Sequence, residues 1–227
     1  MNRKPEITSS RKAKGKQARK SLATQRQIIE TAIRCLAKYG YHDTTFIRIS
    51  EESGISRGAM RHHFPSRIDI MKATIEHLHN KRLVAFRKAA ASFPDGPTRT
   101  RANIEALWQH VNHPTFMVFI DLALAARKDR ELAAIFRPAQ LTFRQECYYA
   151  ALELFPEWLK HREQLRTAID LALYMMEGMV LDDLSPEGES ATRLLDFLSR
   201  ELDVLRTSGG VPEDVRDRQA PVRKSRG

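Results

Sequence analysis

The chain has 227 residues, of which 42% are hydrophobic and 29% are charged, with ten glycines, ten prolines and a net charge of +10. This balance is typical of a globular protein of one or two domains and excludes a collagen-like or wholly disordered chain. The sequence contains neither an apolar run long enough to span a membrane nor an N-terminal signal peptide, so we expect no membrane association. The two cysteines, Cys35 and Cys147, fit a protein of the reducing cytoplasm. Because they lack the spacing of zinc ligands, we expect no metal, and we also expect no cofactor.

Residues 1–20 form a strongly basic arm that holds most of the net charge. Its basic residues are Arg3, Lys4, Arg11, Lys12, Lys14, Lys16, Arg19 and Lys20, and its one acid is Glu6. Such a segment has too little apolar surface to fold alone, and we predict that it is disordered. It can either lie along nucleic-acid phosphates or act as a solvated tail.

Three short helices are predicted after the arm, over residues 24–64. Thr24 and Gln27 have the spacing of a capping box, and Gly40 is expected to end the first helix. Thr44 or Thr45 is expected to cap the second helix, which Gly54 ends. The third helix is predicted from Arg57 to about Phe64, where Pro65 disfavours its continuation.

The remainder of the chain also has helical apolar spacing. Helices are predicted near 68–91, 99–112, 114–127, 129–155, 161–183 and 187–206, with breaks at Phe93–Pro97 and Ser185–Pro186. We therefore predict an all-α fold: a disordered arm (1–20), a small three-helix domain (21–67), a larger helical domain (68–206) and a disordered tail (207–227).

Residues 44–64 have the spacing of a helix-turn-helix unit, with a tight turn at Gly54, Ile55 and Ser56. Its inner apolar face is predicted to include Ile49 and either Ala59 or Met60. The third helix is cationic and fits the major groove of DNA. Arg57 can donate to O6 and N7 of guanine, or it can bind a phosphate.

Three segments resemble the signature of the TetR family when they are taken together. They are Gly40–Thr45 (GYHDTT), Ile49–Met60 (ISEESGISRGAM) and His63–Arg67 (HFPSR). The resemblance covers about residues 24–72. It implies an all-helical homodimeric transcriptional regulator, usually a repressor, whose C-terminal domain binds a small molecule that weakens binding to operator DNA.

The resemblance also implies roles for single residues. Contacts with the phosphate backbone of DNA are implied for Thr45, Arg61, His62, His63 and Arg67. Contacts with bases in the groove are implied for Arg57, Gly58 and Ala59. His63 has packing beneath Phe64 as an alternative role. Arg61 stands where a tyrosine is common, and Ile47 stands where some relatives have an arginine, so base reading is expected to depend on the third helix.

The C-terminal region offers candidates for an effector site and a dimer interface. The proposed effector-binding residues are Trp108, Phe116, Phe143, Tyr148, Tyr174 and Met175, because aromatic and methionine side chains often line cavities between helices. Each of them can instead be an ordinary core residue, since helical packing needs apolar side chains with or without a ligand. By the resemblance, the helices near 161–183 and 187–206 form the dimer, through stripes that include Leu165, Leu173, Leu195 and Leu198. These stripes could instead be buried within one chain.

Two other classes of protein were considered. An enzyme is not expected, because the sequence lacks a nucleophile elbow, a phosphate-binding loop and a zinc-protease motif. A nonspecific nucleic-acid-binding protein that acts through the arm is the alternative, although it would not need a helix-turn-helix. The predicted function is therefore an operator-binding regulator that responds to a small molecule.

Overall fold

The computed structural model describes residues 6–91, 99–181 and 189–208, with side chains in 17–91, 99–113, 116–181 and 190–206. The helices are α1 (Glu6–Asp43), α2 (Phe46–Ser53), α3 (Arg57–His63), α4 (Arg67–Ala91), α5 (Arg99–Val111), α6 (Pro114–Ala125), α7 (Arg130–Leu154), a short 3-10 helix (Pro156–Lys160), α8 (Arg162–Leu181) and α9 (Glu189–Ser208). Every element in the described ranges is helical, so the predicted all-α fold is confirmed. None of these helices is long and apolar enough to cross a membrane.

The first helix begins at Glu6, so the start predicted at Thr24 was wrong. The Thr24 hydroxyl donates to the Lys20 carbonyl oxygen at 3.0 Å, which is a bond within a continuing helix. The Gln27 amide instead donates to the Ser53 carbonyl oxygen at 2.9 Å, at the end of α2. Residues 6–20, assigned to a disordered arm from the sequence, are part of α1, because their Lys, Arg and Ala residues favour a helix.

Two glycines break the helices where the sequence predicted. Gly40 has φ 71° and interrupts α1, and Gly54 has φ 67° and caps the C-terminus of α2. Both angles lie in the left-handed region that glycine adopts at little cost.

Short polar side chains cap the helices that follow these breaks. The Thr45 hydroxyl accepts from the Arg48 amide, so Thr45 rather than Thr44 caps α2. The Ser56 hydroxyl accepts from the Ala59 amide and caps α3. Ser66 and Asp69 bond each other at the start of α4, as in a capping box.

The chain forms two compact units, and the first contains more than the three N-terminal helices. It comprises the residues up to Lys81 together with Pro114–Leu141, so α6 and the first half of α7 belong to it. The sequence analysis drew a boundary after Arg67. The packing of α6 against α1 joins segments that are far apart in the chain, and no local pattern in the sequence indicates such a contact.

The core of the first unit is formed by the inner faces of α1 to α4, by α6 and by the first half of α7. Its buried apolar residues include Ile28, Leu36, Ile49, Met60, Phe64, Ile70, Ile75, Phe119, Leu122 and Phe136. Met60, not Ala59, is the inward residue of α3. The buried ring of His79 lies 5.4 Å from the Phe119 ring.

The second unit contains Arg82–His113 and the chain from Thr142 onward. Its buried residues include Ile104, Phe143, Trp158, Leu165, Leu173, Met176, Leu195, Leu198 and Leu202. The α8 and α9 residues in this list belong to the stripes that the sequence analysis assigned to the dimer. Because these side chains are buried within a single chain, the intramolecular alternative holds for them, and the assignment of the two helices to the dimer stays a prediction.

Some predicted features fall outside the described residues. These are the break at Phe93–Pro97, the break at Ser185–Pro186, residues 209–227 of the predicted tail and the first five residues of the arm. The helices around the breaks end and begin within two or three residues of the predicted positions.

Candidate functional site

The exposed face of α3 carries most of the predicted DNA-binding residues. Arg57, Gly58, Ala59, Arg61 and His62 are exposed, while Met60 is fully buried and holds the helix on the core. The helix contains two arginines and two histidines and no acid. The structure therefore brings these predicted residues together on one cationic, solvent-facing surface.

A network of hydrogen bonds fixes the turn that positions α3. The Ser50 hydroxyl donates to the Ile55 carbonyl oxygen at 2.7 Å, and the Ser53 hydroxyl donates to the Ser50 carbonyl oxygen at 3.2 Å. The Ile55 amide donates in turn to the Ser53 hydroxyl oxygen. These bonds use the polar groups of the turn internally, so the angle between α2 and α3 is set before any ligand binds.

The predicted backbone-contact residues differ in how free their side chains are. The Arg61 guanidinium lies 5.5 Å from the Phe46 ring centroid and remains exposed. His62 is exposed and His63 is half-buried, with their rings 5.5 Å apart. Thr45 is exposed although its hydroxyl caps α2. Arg61 and His62 are therefore the most accessible of this group.

Arg67, also predicted to contact DNA, is engaged inside the first unit. Its Nε donates to the Thr44 carbonyl oxygen at 2.8 Å, and its Nη2 donates to the Tyr41 carbonyl oxygen. Its guanidinium also stacks on the Tyr41 ring at 4.2 Å. This side chain ties the start of α4 to the end of α1, a role that no local pattern in the sequence indicates.

The flank of α2 next to α1 is occupied by a polar cluster around Tyr39. The Tyr39 hydroxyl donates to Glu52 at 2.8 Å, and the Arg48 guanidinium lies 4.3 Å from the centre of its ring. Lys38 lies 4.8 Å from the same ring. Ile47, in contrast, is apolar and 52% exposed.

The second unit encloses a cavity of about 530 Å³. It is lined by Arg82, Phe86, Arg99, Thr100, Asn103, Ile104, Leu107, His110, Val111, Phe143, Cys147, Ala151, Phe155, Glu157, Trp158, Leu165, Ala168, Ile169, Ala172, Leu173, Leu202 and Arg206. The lining is mainly apolar with a few charged groups, which is typical of a site for a small organic molecule.

Phe143 is the one predicted effector residue in this lining; the other five lie elsewhere. Phe116 is buried in the first unit, with its ring 5.6 Å from that of Phe119. Tyr148 is buried beneath the Arg166 guanidinium, and Tyr174 is exposed beside Arg144. Trp108 and Met175 are half-buried outside the lining. Helical periodicity finds buried faces but does not show which of them surround a void.

Arg82 is the most deeply buried charged residue of the cavity wall. Its guanidinium lies 3.0 Å from a Glu177 carboxylate oxygen and 4.4 Å from the centre of the Phe143 ring. Burial lowers the pKa of Arg82, and the Glu177 charge opposes this effect. The sequence analysis missed this residue, although a charge in the middle of an apolar helical repeat is the signal that could have found it.

Two other titratable residues of the cavity are kept neutral by their surroundings. Burial lowers the pKa of His110, and the charges of Arg82 and His113 lower it further. Burial raises the pKa of the Cys147 thiol to about 11. Both shifts favour the neutral form of the side chain.

The described residues offer no group of three His, Cys, Asp or Glu side chains that could hold a metal ion. The neighbouring histidines His77 and His79 of α4 have other contacts. His77 lies 3.2 Å from the Glu30 carboxylate, and the ring of His79 packs against Phe119.

A second apolar stripe on α8 and α9 is exposed, separate from the buried one. It contains Leu171, Tyr174 and Leu181 on α8, and Leu194, Phe197 and Val204 on α9. The members have the same spacing in both helices: the second residue follows after three positions and the third after seven more. This spacing places each set along one helix face.

The N-terminal region is similar to that of known bacterial regulatory proteins. Residues 28–74 match the family model described as bacterial regulatory proteins, tetR family. The HTH-type transcriptional regulator CymR of Pseudomonas putida is 27% identical over 116 residues, or 51% of this chain and 57% of CymR. The HTH-type transcriptional repressor AcnR of Corynebacterium efficiens is 44% identical over 45 residues, or 20% of this chain and 24% of AcnR. The matches thus span little more than half of these relatives at most.

Solved structures resemble the chain over most of its length. Salmonella enterica GusR has a TM-score of 0.64 at 20% sequence identity, covering 81% of this chain and 95% of GusR. The multidrug binding protein EbrR, solved with imidazole, has a TM-score of 0.60 at 16% identity, covering 80% of this chain and 93% of EbrR. At these identities the likeness shows a shared fold.

Proposed function

Since this chain belongs, by its N-terminal domain, to the tetR family of bacterial regulatory proteins, we propose that it is a sequence-specific transcriptional regulator. It binds operator DNA as a homodimer in the cytoplasm, acts as a repressor and leaves the operator when a small molecule binds. The observation that carries the proposal is the exposed cationic face of α3, held by a hydrogen-bonded turn on a buried core.

The exposed face of α3 has the features of a recognition helix. Arg57 lies in its first turn, where it can reach a guanine edge, and Arg61 and His62 lie one turn further along, where they can bind phosphates. Gly58 has open space above its α-carbon, so the backbone can approach the groove closely. We assign base reading to Arg57, Gly58 and Ala59, and phosphate binding to Arg61, His62 and Thr45.

The exposed stripe on α8 and α9 supports the homodimer. Six large apolar side chains, including Tyr174 and Phe197, are 38% to 61% exposed there. A patch of this kind on two adjacent helices is typical of a protein interface. A two-fold dimer places two recognition helices roughly 34 Å apart, which predicts a near-palindromic operator.

The cavity of the second unit supports a response to a small organic molecule. Its size and its apolar lining suit a compact hydrophobic ligand, and Arg82, Arg99 and Asn103 supply polar groups that can orient it. Ala172→Phe would fill part of this space. We expect the variant to keep operator binding but to lose release by effectors, and a matched change of the exposed Tyr149 to Phe to alter neither property.

Selection of binding sites from random duplex DNA, repeated at two salt concentrations, tests the proposal. A near-palindromic consensus at both concentrations is the expected result. Binding without a consensus, with a steep loss of affinity as salt rises, would instead indicate the nonspecific protein that acts through its basic arm.

Arg57→Ala then tests the assignment of the base reader. We expect a loss of about 1 to 3 kcal/mol at one symmetric base position, with discrimination relaxed at that position only. An equal loss on every sequence would show that Arg57 binds a phosphate.

A further inference from the structure

We propose that Ile47 of α2 reads the methyl group of a thymine in each half-site of the operator. The inference rests on the proposed function, since it needs specific DNA binding. It assigns a specificity-determining role to a position for which the sequence analysis proposed no contact of its own.

The position of Ile47 on α2 follows from the contacts of its neighbours. Successive residues of a helix are rotated by roughly 100°. Ile49 and Ser53 point into the core, and Arg48 and Glu52 face Tyr39 of α1. Ile47 therefore emerges on a side of α2 that faces neither the core nor α1.

This side of α2 borders the side that faces α3. Phe46 lies under Arg61 of α3, and the Ser50 hydroxyl bonds the Ile55 carbonyl oxygen in the turn that leads to α3. Both residues lie on α2 between its buried face and Ile47. Ile47 is thus placed alongside the exposed surface of the recognition helix, at the end where α2 begins.

Arg48, Gly58 and Ala59 offer no polar side-chain group for reading a base next to Ile47. Arg48 is held on the Tyr39 ring, 4.3 Å from its centre, on the far flank. Gly58 and Ala59, which are exposed on α3, have no polar side-chain atoms. Ile47, Gly58 and Ala59 can therefore discriminate between bases only through apolar contacts.

Only one apolar group is displayed by bases in the major groove, and it is the C5 methyl of thymine. A branched aliphatic side chain that is 52% exposed packs well against this methyl and gains nothing from a guanine or cytosine edge. Ile47 thus recognises thymine by the methyl that distinguishes thymine from uracil.

The test uses the consensus operator obtained with the full-length protein. Each symmetric pair of thymines is replaced in turn by deoxyuridine, which removes the methyl and keeps all hydrogen bonds. Affinities of the wild type and of Ile47→Ala are measured for every duplex. At one symmetric pair, we expect the wild type to bind the deoxyuridine duplex about fourfold more weakly per half-site than the unmodified operator, which is the contribution of one buried carbon group. Ile47→Ala should bind these two duplexes with equal affinity.

Ile47→Val is the matched control, because it keeps a branched aliphatic side chain and should retain part of the sensitivity to deoxyuridine. Since Ile47 lies outside the core, both variants should unfold at the temperature of the wild type. The inference would be overturned if the wild type and Ile47→Ala were equally sensitive to deoxyuridine, or if neither were sensitive at any thymine. A clear consensus operator would still support the proposed regulator in that case. The absence of any consensus would remove both.

Discussion

The Tyr41 hydroxyl donates a hydrogen bond of 2.9 Å to Oδ2 of Asp129, a residue 88 positions later in the chain. The other carboxylate oxygen, Oδ1, accepts from the Leu132 amide at 2.9 Å and caps α7. One carboxylate thus links the segment that follows Gly40 to the start of α7 within the first unit. Because Tyr41 also stacks on Arg67 at the start of α4, this hydrogen bond helps to hold the end of α1 and the start of α4 in place.

Tyr41→Phe should destabilise the first unit by about 1 kcal/mol at neutral pH, because it removes one hydrogen bond to a half-exposed carboxylate. Burial raises the pKa of Tyr41 to about 12, and the bond to Asp129 adds to this effect. A raised folded-state pKa gives stability that is complete below the ordinary value of 10.0 and is lost as the pH rises towards about 12. Urea unfolding of both proteins over this range measures the difference.

The advantage of the wild type over Tyr41→Phe should therefore shrink above pH 10.0. Tyr149→Phe, at an exposed tyrosine, is the control and should leave stability unchanged. An advantage that stayed constant over this range would contradict the proposed cause of the shift.

Asp129→Ala should destabilise the protein by about 1 kcal/mol through loss of the cap, and Asp129→Asn should cost less, since asparagine is a comparable capping residue. The Leu132 amide and then the Tyr41 hydroxyl lower the pKa of Asp129 by donating to its carboxylate. A lowered folded-state pKa gives stability that is present above the ordinary value of 3.8 and is lost as the pH falls below it. Acid unfolding followed by circular dichroism should show this loss in the wild type and not in Asp129→Asn.

Arg67→Ala and Arg61→Ala should have opposite signatures. Arg67→Ala removes two hydrogen bonds to carbonyl oxygens and a stacking contact, so we expect a loss of about 2 kcal/mol in unfolding free energy. Arg61→Ala should change stability by less than about 0.5 kcal/mol but weaken binding to all DNA sequences and reduce the salt slope by about one for each contact. Thermal unfolding and salt-dependent DNA titration separate the two cases. Equal stability of the two variants would contradict the internal role of Arg67.

Glu177→Gln should destabilise the second unit by about 3 kcal/mol, because it leaves the buried Arg82 guanidinium without its carboxylate. Replacing both partners by apolar residues, as in Arg82→Met with Glu177→Leu, should cost much less than the sum of the single changes. A double-mutant cycle in urea measures the coupling. Additive effects would show that the two charges do not act as a pair.

Phe197→Glu should convert the proposed dimer into a monomer, because it places a charge in the middle of the exposed stripe on α9. Analytical ultracentrifugation measures this change directly, and operator affinity should fall with it. Leu159→Glu is the matched control, since Leu159 is an exposed leucine of the 3-10 helix outside that stripe. A dimer that persisted in Phe197→Glu would place the interface elsewhere.

The local features of this protein were determined by the sequence. Gly40, Gly54, Thr45 and Ser56 fix helix ends through backbone angles and capping bonds that involve only near neighbours, so the helix-turn-helix and the basic face of α3 could be predicted. The same holds for most helix boundaries, because apolar periodicity and proline act over a few residues.

The tertiary structure decided how each helical face is used. Leu173 and Tyr174 are adjacent and both hydrophobic, yet one is buried in the second unit and the other is exposed. Arg67 suits phosphate binding by its charge, but the carbonyl oxygens of Tyr41 and Thr44 engage it. The cavity depends on side chains from five separate segments of the chain, and the link from Tyr41 to Asp129 spans distant residues. A one-dimensional pattern records the periodicity of a helix, but the partner of each face is set by packing between segments that are remote in sequence.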